Sequence, residues 1–476
     1  MTTASLIGWI LSAGYVIIIV LTFFAILTDN TTPSKTLAWL LLLFILPGIG
    51  LILYYIFGYN PRQIQKPPTS YDKFKEELYS KLPEYLKNIE DVNKNKIPSK
   101  YHNLVELLSL SNDSWIFQGS EIEIITTGKR KFEALIEDLE NAQHHIHFEY
   151  FYFRRDNTGR KIREILMRKA KEGVKVRFIY ENIANIDVNP RFYYKMKEEG
   201  VEVLPFSKTS LSWIRRSLNY RDHRKIAIID GKIGYTGGMN IGDEYAFNWR
   251  DTHLRIRGGG VYGLQFNFLH VWYESAGKIP DDLSPYFPGY GIYSENLMQV
   301  VPEAPNSLWP YMLLASVNIV STANKYIYIQ TPYYMPSDSL LQALKAAALS
   351  GVDVRIMGSR KADIFFMDPA IRSYYEESLL AGIKIYEYQD TFVHAKSMVV
   401  DDYISVIGTS NMDLRSLELS FEINTYMYDS NVAKQNYDIF MSDLQKCKEI
   451  KVEEWLKRPW WKRIIQSIMR LFSPLL

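Results

Sequence analysis

The sequence predicts an α/β protein: two α/β domains related by a pseudo-twofold axis, preceded by an amino-terminal two-helix transmembrane hairpin. Three observations predict it. A His-x-Lys-x4-Asp stretch occurs twice, each time with similar surroundings. Helix-like and strand-like segments alternate in each half of the chain. Two uncharged apolar runs open the sequence.

The first copy of the repeated stretch is His223-Arg-Lys225-Ile-Ala-Ile-Ile-Asp230, running on to Gly237, Gly238 and Asn240. The second is His394-Ala-Lys396-Ser-Met-Val-Val-Asp401, running on to Gly408, Thr409, Ser410 and Asn411. A carboxylate follows at the same further distance in each, Asp251 and Glu422. Both copies are rich in β-branched and apolar residues and end in turn signals, Asp230-Gly231 and Asp401-Asp402, so they predict strands entering tight turns. His and Lys two apart share one face of a strand. Asp230 and Asp401 have the opposite parity and are expected to fix the turns, although the motif is spelled with them.

Brought together, the two copies supply two imidazoles and two ammonium groups. That set suits phosphodiester chemistry without a metal. One neutral imidazole attacks phosphorus. The other protonates the leaving alkoxide and then serves as base for the acceptor. Lys225, Lys396, Asn240 and Asn411 are expected to surround the phosphoryl oxygens. Asp251 and Glu422 are placed to hold the histidines by their other ring nitrogens. The alternative, that His223 and His394 are ordinary strand histidines, leaves the duplication of the whole set unaccounted for.

The 476 residues are ample for two domains. A net charge of +2 gives no global field pointing to nucleic acid. The one cysteine, Cys447, excludes a disulfide within the chain and a Cys-based metal site. The 34 Tyr and 10 Trp suit a membrane-surface protein.

Residues 1–59 read as the hairpin. Spans 6–27 and 37–57 carry no charge, and each is about long enough to cross a hydrocarbon core of ~30 Å. The first lacks the basic start and small-residue cleavage site of a signal peptide. Arg62, Lys66, Lys73 and Lys75 follow the second span, while the connector has only Lys35 against Asp29. That bias places the catalytic part in the cytoplasm, on a multi-pass membrane protein. Residues 60–101, with Pro61, Pro67, Pro68, Pro83 and Pro98, read as a linker. Within it, 71–86 reads as a short surface helix with a solvated charged face.

The first catalytic domain is expected over 102–285, with strands at 121–126, 145–150, 173–180 and 201–205 and helices at 131–142, 160–172 and 193–200. After a linker at 286–305, the second, over 306–450, repeats the plan: helices at 309–323, 339–350 and 373–381, strands at 326–331, 351–357 and 383–388. The alternation predicts a largely parallel sheet covered by helices in each half, with His223 and His394 meeting across the axis. His145 and His147 share a strand face, but no set of Asp, Glu or Cys accompanies them, so they read as strand histidines rather than metal ligands. Glu149 is a candidate to reach the site. Arg215 and Arg216, near Trp213, either touch lipid phosphates or are solvated. Gly258-Gly-Gly260 lacks the phosphate-loop pattern and reads as a turn between strands. The tail, 451–476, is basic and aromatic. Ile464, Ile465, Ile468, Leu471 and Phe472 form one stripe, with Lys462, Arg463, Gln466 and Arg470 elsewhere. It fits a helix lying in an anionic interface, or else packed on the domain.

Several stretches carry a resemblance to a known family. In the first half they are Asn219-Tyr-Arg-Asp-His-Arg-Lys-Ile, Asp230-Gly-Lys-Ile-Gly-Tyr-Thr-Gly-Gly-Met-Asn-Ile-Gly-Asp-Glu-Tyr and Trp249-Arg-Asp-Thr-His-Leu-Arg. In the second they are Gln330-Thr-Pro-Tyr-Tyr-Met-Pro and Met412-Asp-Leu-Arg-Ser-Leu-Glu-Leu-Ser-Phe-Glu422. With the two H-x-K-x4-D copies, they resemble the phospholipase D superfamily and, within it, the bacterial cardiolipin synthases. The likeness covers nearly the whole chain. It implies two phospholipase D-like domains and a membrane-tethered transphosphatidylase that joins two phosphatidylglycerols into cardiolipin, releasing glycerol through a phosphohistidine. It implies no metal, nucleotide or other cofactor, with phosphatidylglycerol and anionic membrane lipids as partners rather than nucleic acid. The family's catalytic motif maps onto His223, Lys225, Asp230, His394, Lys396 and Asp401, with His223 as nucleophile and His394 as acid and base. Two departures bear on the substrate: Ser420 stands where the family often has Asn, and Glu181-Asn-Ile-Ala-Asn replaces a loop that usually contains Asp. Other readings are a hydrolase using water, a different donor such as phosphatidylethanolamine, or a different acceptor. A membrane-anchored nuclease would want a basic groove. A non-catalytic scaffold would have lost a His or Lys, and neither copy has. Oligomeric state is not written in the sequence.

Overall fold

A computed structural model describes residues 3–28, 33–58, 70–87, 94–111, 114–206, 220–289 and 291–473. Arg62, Lys66, Trp213, Arg215, Arg216 and Asn219, to which expectations were attached above, lie outside them. The chain divides into an amino-terminal unit and a larger one that begins at Pro68.

In the amino-terminal unit, Thr3–Thr28 is one helix of 26 residues. At 1.5 Å per residue it is ~39 Å long, enough to cross a bilayer. The second apolar run departs from expectation: it is not a continuous span. Helix Pro33–Ile45 stops, Leu46 adopts φ −130° and ψ 69°, and helix Pro47–Leu53 and a π-turn, Tyr54–Gly58, follow. Pro47 lacks an N–H and pushes the residue before it out of the helical region, so the break falls where the side chains dictate. The chain then folds back. A methyl group on Gly50 would lie 2.7 Å from the Leu42 carbonyl oxygen, although eight residues of straight helix rise ~12 Å. Thr3–Thr28 is thus the one described helix both long and apolar enough to span.

The larger unit holds two large sheets and a small parallel pair, Tyr334–Met335 with Met412–Asp413. In the first half the strand order is Glu121–Ile125, His253–Arg257, Ile233–Gly237, Lys225–Ile229, His145–Tyr150, Lys175–Tyr180, Glu202–Pro205. In the second half it is Ile116–Gln118, Leu297–Glu303, Glu422–Tyr428, Ile404–Gly408, Ser397–Val400, Tyr326–Gln330, Asp353–Ser359, Lys384–Tyr388, Cys447–Ile450. All seven strands of the first sheet have counterparts in the same order in the second, from Leu297–Glu303 to Lys384–Tyr388. The sheets are mixed rather than largely parallel. Only the three strands ending at Glu202–Pro205, and their counterparts ending at Lys384–Tyr388, run parallel; the rest pair antiparallel. The cause lies in the repeated motif. Each copy is the first arm of a hairpin with three residues between the paired ends, Asp230–Lys232 and Asp401–Tyr403, and so short a connection can only join antiparallel strands.

Helices Gly128–Glu140, Asn157–Lys171 and Arg191–Glu198 cover the outer face of the first sheet. Tyr311–Thr322, Asp338–Leu349 and the shorter Met367–Arg372 and Tyr375–Leu380 cover the outer face of the second. Thr127, Asp156 and Ser337 cap their helices by accepting from an amide of the first turn. Residues 97–108 pack into the core of the second half through Ile97, Tyr101, Leu104, Val105 and Leu108. Helix Ser70–Lys81, with the turn after it, buries Phe74, Leu78, Leu82 and Leu86.

Between the sheets lie two helices, Gly260–Ala276 and Ser430–Leu444. The first starts at the triple glycine, so Gly258-Gly-Gly260 joins a strand to a helix rather than two strands. Its sequence is apolar on every side, because sheet packs against it on both sides, and it therefore lacks a helical stripe. Glycine brings it close to strand Leu297–Glu303: a Cβ on Gly260 would overlap the Met298 sulfur, and one on Gly263 would sit 2.6 Å from Val300 Cβ. Gly263→Val is expected to cost about 3 kcal/mol by forcing helix and strand apart. Calorimetry of the detergent-solubilised protein should show a lowered unfolding temperature, and none for Gly289→Ala, whose methyl meets nothing within 4 Å.

Candidate active site

The turn of each motif sits at the far end of its strand from the histidine. Asp230 and Gly231 have φ of 54° and 64°, and Asp401 and Asp402 have 52° and 59°, the left-handed pair of a tight hairpin. Asp230 accepts from the amides of Gln143, His144 and His145 at 2.7–2.9 Å. Asp401 accepts from Asn324, Lys325 and Tyr326 at 2.8–3.2 Å. Each carboxylate therefore ties the hairpin to the start of the neighbouring parallel strand. Seven residues of strand put it roughly 20 Å from the motif's histidine.

The other end of each strand carries the chemistry. Lys225 pairs across from Tyr150, at the carboxyl end of the parallel strands, where open α/β sheets leave a crevice. His223 N–H donates to Phe421 O (2.9 Å) and Phe421 N–H to Arg221 O (2.8 Å). In the related place, Arg250 N–H donates to Phe392 O (2.9 Å) and His394 N–H to Arg250 O (2.8 Å). These contacts carry each histidine to the carboxylate of the other half. His223 Nδ1 lies 2.9 and 3.0 Å from the two Glu422 oxygens, and His394 Nδ1 lies 2.7 Å from Asp251 Oδ2. Each motif residue and its counterpart are separated by 171 residues, and the two histidine–carboxylate contacts are reciprocal. Each pairing engages Nδ1, which assigns the chemistry to Nε2.

Lys225 Nζ donates to His223 O, and Lys396 Nζ to His394 O, both at 2.5 Å. Asn240 Oδ1 accepts from the Tyr152 amide at 3.1 Å, and Asn411 Oδ1 is buried without a partner. Phe151 stands edge-on to His223 with ring centres 4.9 Å apart, and Trp249 lies 5.1 Å from His394.

Lys225, Asp251 and Glu422 are fully buried, and His394 and Lys396 nearly so. Burial sets the electrostatics. It holds His223 well below the usual imidazole range and His394 down to about 4, with Lys225 and Lys396 acting in the same direction on both. It lowers Lys225 to about 7 and Lys396 to about 8, and raises Glu422 to about 7. Each lysine acts on the histidine of the opposite half, so the four groups share one pocket. An anion entering it would relieve all four.

The symmetry is imperfect. Thr409 Oγ1 donates to Glu422 Oε2 at 2.5 Å. Its counterpart, Gly238, can carry no side chain, because a Cβ there would overlap the Asp251 carboxylate. The shorter acid and the glycine therefore go together. Of the remaining candidates, Glu149 lies on the opposite sheet face from Lys225 and meets Arg224 at 3.4 Å behind the site. His145 and His147 bracket Gln265 at 3.3 and 2.8 Å, and Arg177 reaches His147 at 3.2 Å. Sequence reading missed the bridge through Phe421 and Arg250 and the aromatic walls. Position beside a motif was their only signal, and core aromatics share it.

Since Lys225 depresses the opposite half's imidazole, Lys225→Met is expected to raise the pH at which His394 titrates, read by nitrogen NMR of labelled histidine. An unchanged His394 titration would place the two halves' charges out of each other's reach.

Comparison with known proteins agrees with this geometry. The family described as cardiolipin synthase, PLD-like domain, matches residues 135–257 and 317–444, and phospholipase D-nuclease N-terminal matches 16–58. The Major cardiolipin synthase ClsA of Bacillus subtilis is 38% identical over 477 residues, covering 98% of this chain and 99% of the relative. A cardiolipin synthase of Halalkalibacterium halodurans is 38% identical over 483 residues, covering 98% and 95%. The crystal structure of phosphatidylserine synthase from Haemophilus influenzae shares the fold, with a TM-score of 0.59 at 14% identity over 79% of this chain and 98% of that one. With two matching domains, each supplying one histidine to a common pocket, the chain belongs to the cardiolipin synthase family of phospholipase D-like proteins.

Proposed function

We infer that the protein is a cardiolipin synthase: it transfers the phosphatidyl group of one phosphatidylglycerol to another and releases glycerol. The crossed pair of histidines in one buried pocket carries this reading, supported by full-length likeness to named cardiolipin synthases.

The residues divide the work as follows. His223 Nε2 attacks phosphorus, because Glu422 occupies Nδ1 and fixes the tautomer. The bond from phosphorus to the glycerol oxygen breaks as His394 Nε2 gives that oxygen its proton. His394 then takes the proton from a hydroxyl of the second phosphatidylglycerol, whose oxygen displaces His223 and frees the enzyme. Burial favours the neutral form of His223, which suits a nucleophile, and the Asp251 carboxylate beside His394 favours a proton on that ring. The arriving phosphodiester anion offsets Lys225 and Lys396, which raises the proton affinity of His394 when the acid is needed. The two lysines, Asn240 and Asn411 hold the phosphoryl oxygens. Asp230 and Asp401 act at a distance, by fixing the hairpins. The chain's own residues supply every group these steps use.

Thr3–Thr28 serves as a membrane crossing, and the bent second apolar segment lies with it in the bilayer. Lys73 and Lys75, after the apolar segments, favour a cytoplasmic catalytic part.

Purified protein in phosphatidylglycerol vesicles is expected to yield cardiolipin and glycerol in equal amounts. His223→Ala and His394→Ala should each lower that rate by roughly a thousandfold or more, because the groups act as a unit. Phosphatidic acid as sole product would make the enzyme a hydrolase and overturn the acceptor assignment.

A further inference from the structure

The carboxy-terminal helix Trp460–Phe472 is amphipathic, and it docks opposite to a water-facing helix. Its polar side faces the second half. Arg458 pairs with Glu376 and Arg470 with Glu377, each at 2.5 Å, and the hydroxyls of Ser473 and Tyr374 meet at 2.9 Å. Gln466 is buried and accepts from Arg458 at 3.0 Å. The apolar side is left outside. Ile464, Ile465 and Ile468 are 45–49% exposed, Leu471 78%, and Trp460 72%.

A second apolar element stands beside it. Helix Met367–Arg372 lies against the terminal helix, and the loop leading into it holds Phe365, 94% exposed, between the exposed Ile364 and Phe366. The same loop begins at the active-site rim. Arg360, Lys361 and Asp363 line a cavity with Trp249 and Phe392, the aromatic side chains next to His394.

The charge around this face indicates what covers it. No acid follows Glu454, whereas Lys457, Arg458, Lys462, Arg463 and Arg470 are cationic. Arg458, Arg463 and Arg470 converge with Glu376 and Glu377 on a cavity of about 490 Å³, where Arg463 Nε is buried without a hydrogen-bond partner among the described residues. A second copy of this face would bring the exposed Lys457 and Lys462 against their own counterparts. A bilayer with anionic headgroups satisfies both parts: acyl chains take the Ile, Leu and Phe side chains, headgroups take the exposed Lys457 and Lys462, and tryptophans sit at the boundary.

We propose that helix Trp460–Phe472 and the 364–366 loop together form a docking face that lays the catalytic unit, with its mouth beside His394, on an anionic lipid surface. The proposal rests on the phosphatidyl-transfer reading for its purpose, but its test does not. In full-length protein carrying Cys447→Ser, an environment-sensitive fluorophore is attached at Ile468→Cys, Phe365→Cys or, as control, Leu349→Cys, which is 73% exposed at the end of another helix. The protein is placed in phosphatidylglycerol nanodiscs with and without spin-labelled lipid. Probes at 468 and 365 are expected to be quenched about twofold or more and the control left bright. Unquenched probes at 468 and 365 would overturn the proposal, as would disulfide cross-linking of two copies of the unlabelled Ile468→Cys variant through the introduced thiol. Ile468→Glu with Leu471→Glu should lower cardiolipin formation about tenfold on vesicles and leave it unchanged on short-chain phosphatidylglycerol dispersed as monomers. Equal loss on both would reduce the helix to a packing element. Quenching needs no turnover, so an inactive protein that still quenches would sink the transferase reading alone.

Discussion

Each catalytic histidine is held by a carboxylate from the other half of the chain, and the rest of the structure serves that crossing. His223 reaches Glu422 and His394 reaches Asp251 because short backbone bridges, through Phe421 and through Arg250, join the motif of one half to the carboxylate strand of the other. Neither half holds a complete site. The helices between the sheets, the glycines that let one of them approach strand Leu297–Glu303, and Arg250, locked to Asp443 at 2.6 Å, keep the halves in register. An error of an ångström there would part both pairs at once.

The pocket so formed concentrates like charge where water is scarce. Two lysines lowered by burial, two imidazoles held neutral and one raised carboxyl describe a site that a bound anion would balance. Binding the phosphodiester relieves the lysines and moves His394 toward the proton it must donate, so substrate binding itself prepares the acid. The near-symmetry is broken where the acids differ in length. Glu422 accepts from Thr409, and Asp251 needs the empty space of Gly238. That difference gives two chemically alike histidines unlike surroundings.

Much of this was legible in the sequence because the duplication repeats both spacing and parity. The shared face of His and Lys, the opposite parity of Asp230 and Asp401, and the helix–strand alternation all follow from period-two and period-3.6 patterns. What escaped has identifiable reasons. Helix Gly260–Ala276 is apolar on all sides and shows no stripe. The antiparallel hairpins were hidden behind an α/β alternation that describes only the parallel strands. The break at Pro47 was present in one residue, outweighed by the uninterrupted hydropathy around it. Which carboxylate holds which histidine was not legible, since a local motif says nothing of how two copies cross. The tail's stripe was evident, but the side on which it docks depends on Glu376 and Glu377, far away in sequence.

The most direct test of the crossed site separates its two steps with a phosphatidyl donor bearing a nitrophenyl leaving group, which departs without help from an acid. Asp251→Asn should give a burst of nitrophenolate and then stall, with the phosphoryl group on His223, because the base for the acceptor is no longer held. Glu422→Gln should give no burst, because the nucleophile has lost its orientation. A burst in Glu422→Gln and none in Asp251→Asn, or a phosphoryl group recovered on His394, would contradict the pairing of roles across the two halves.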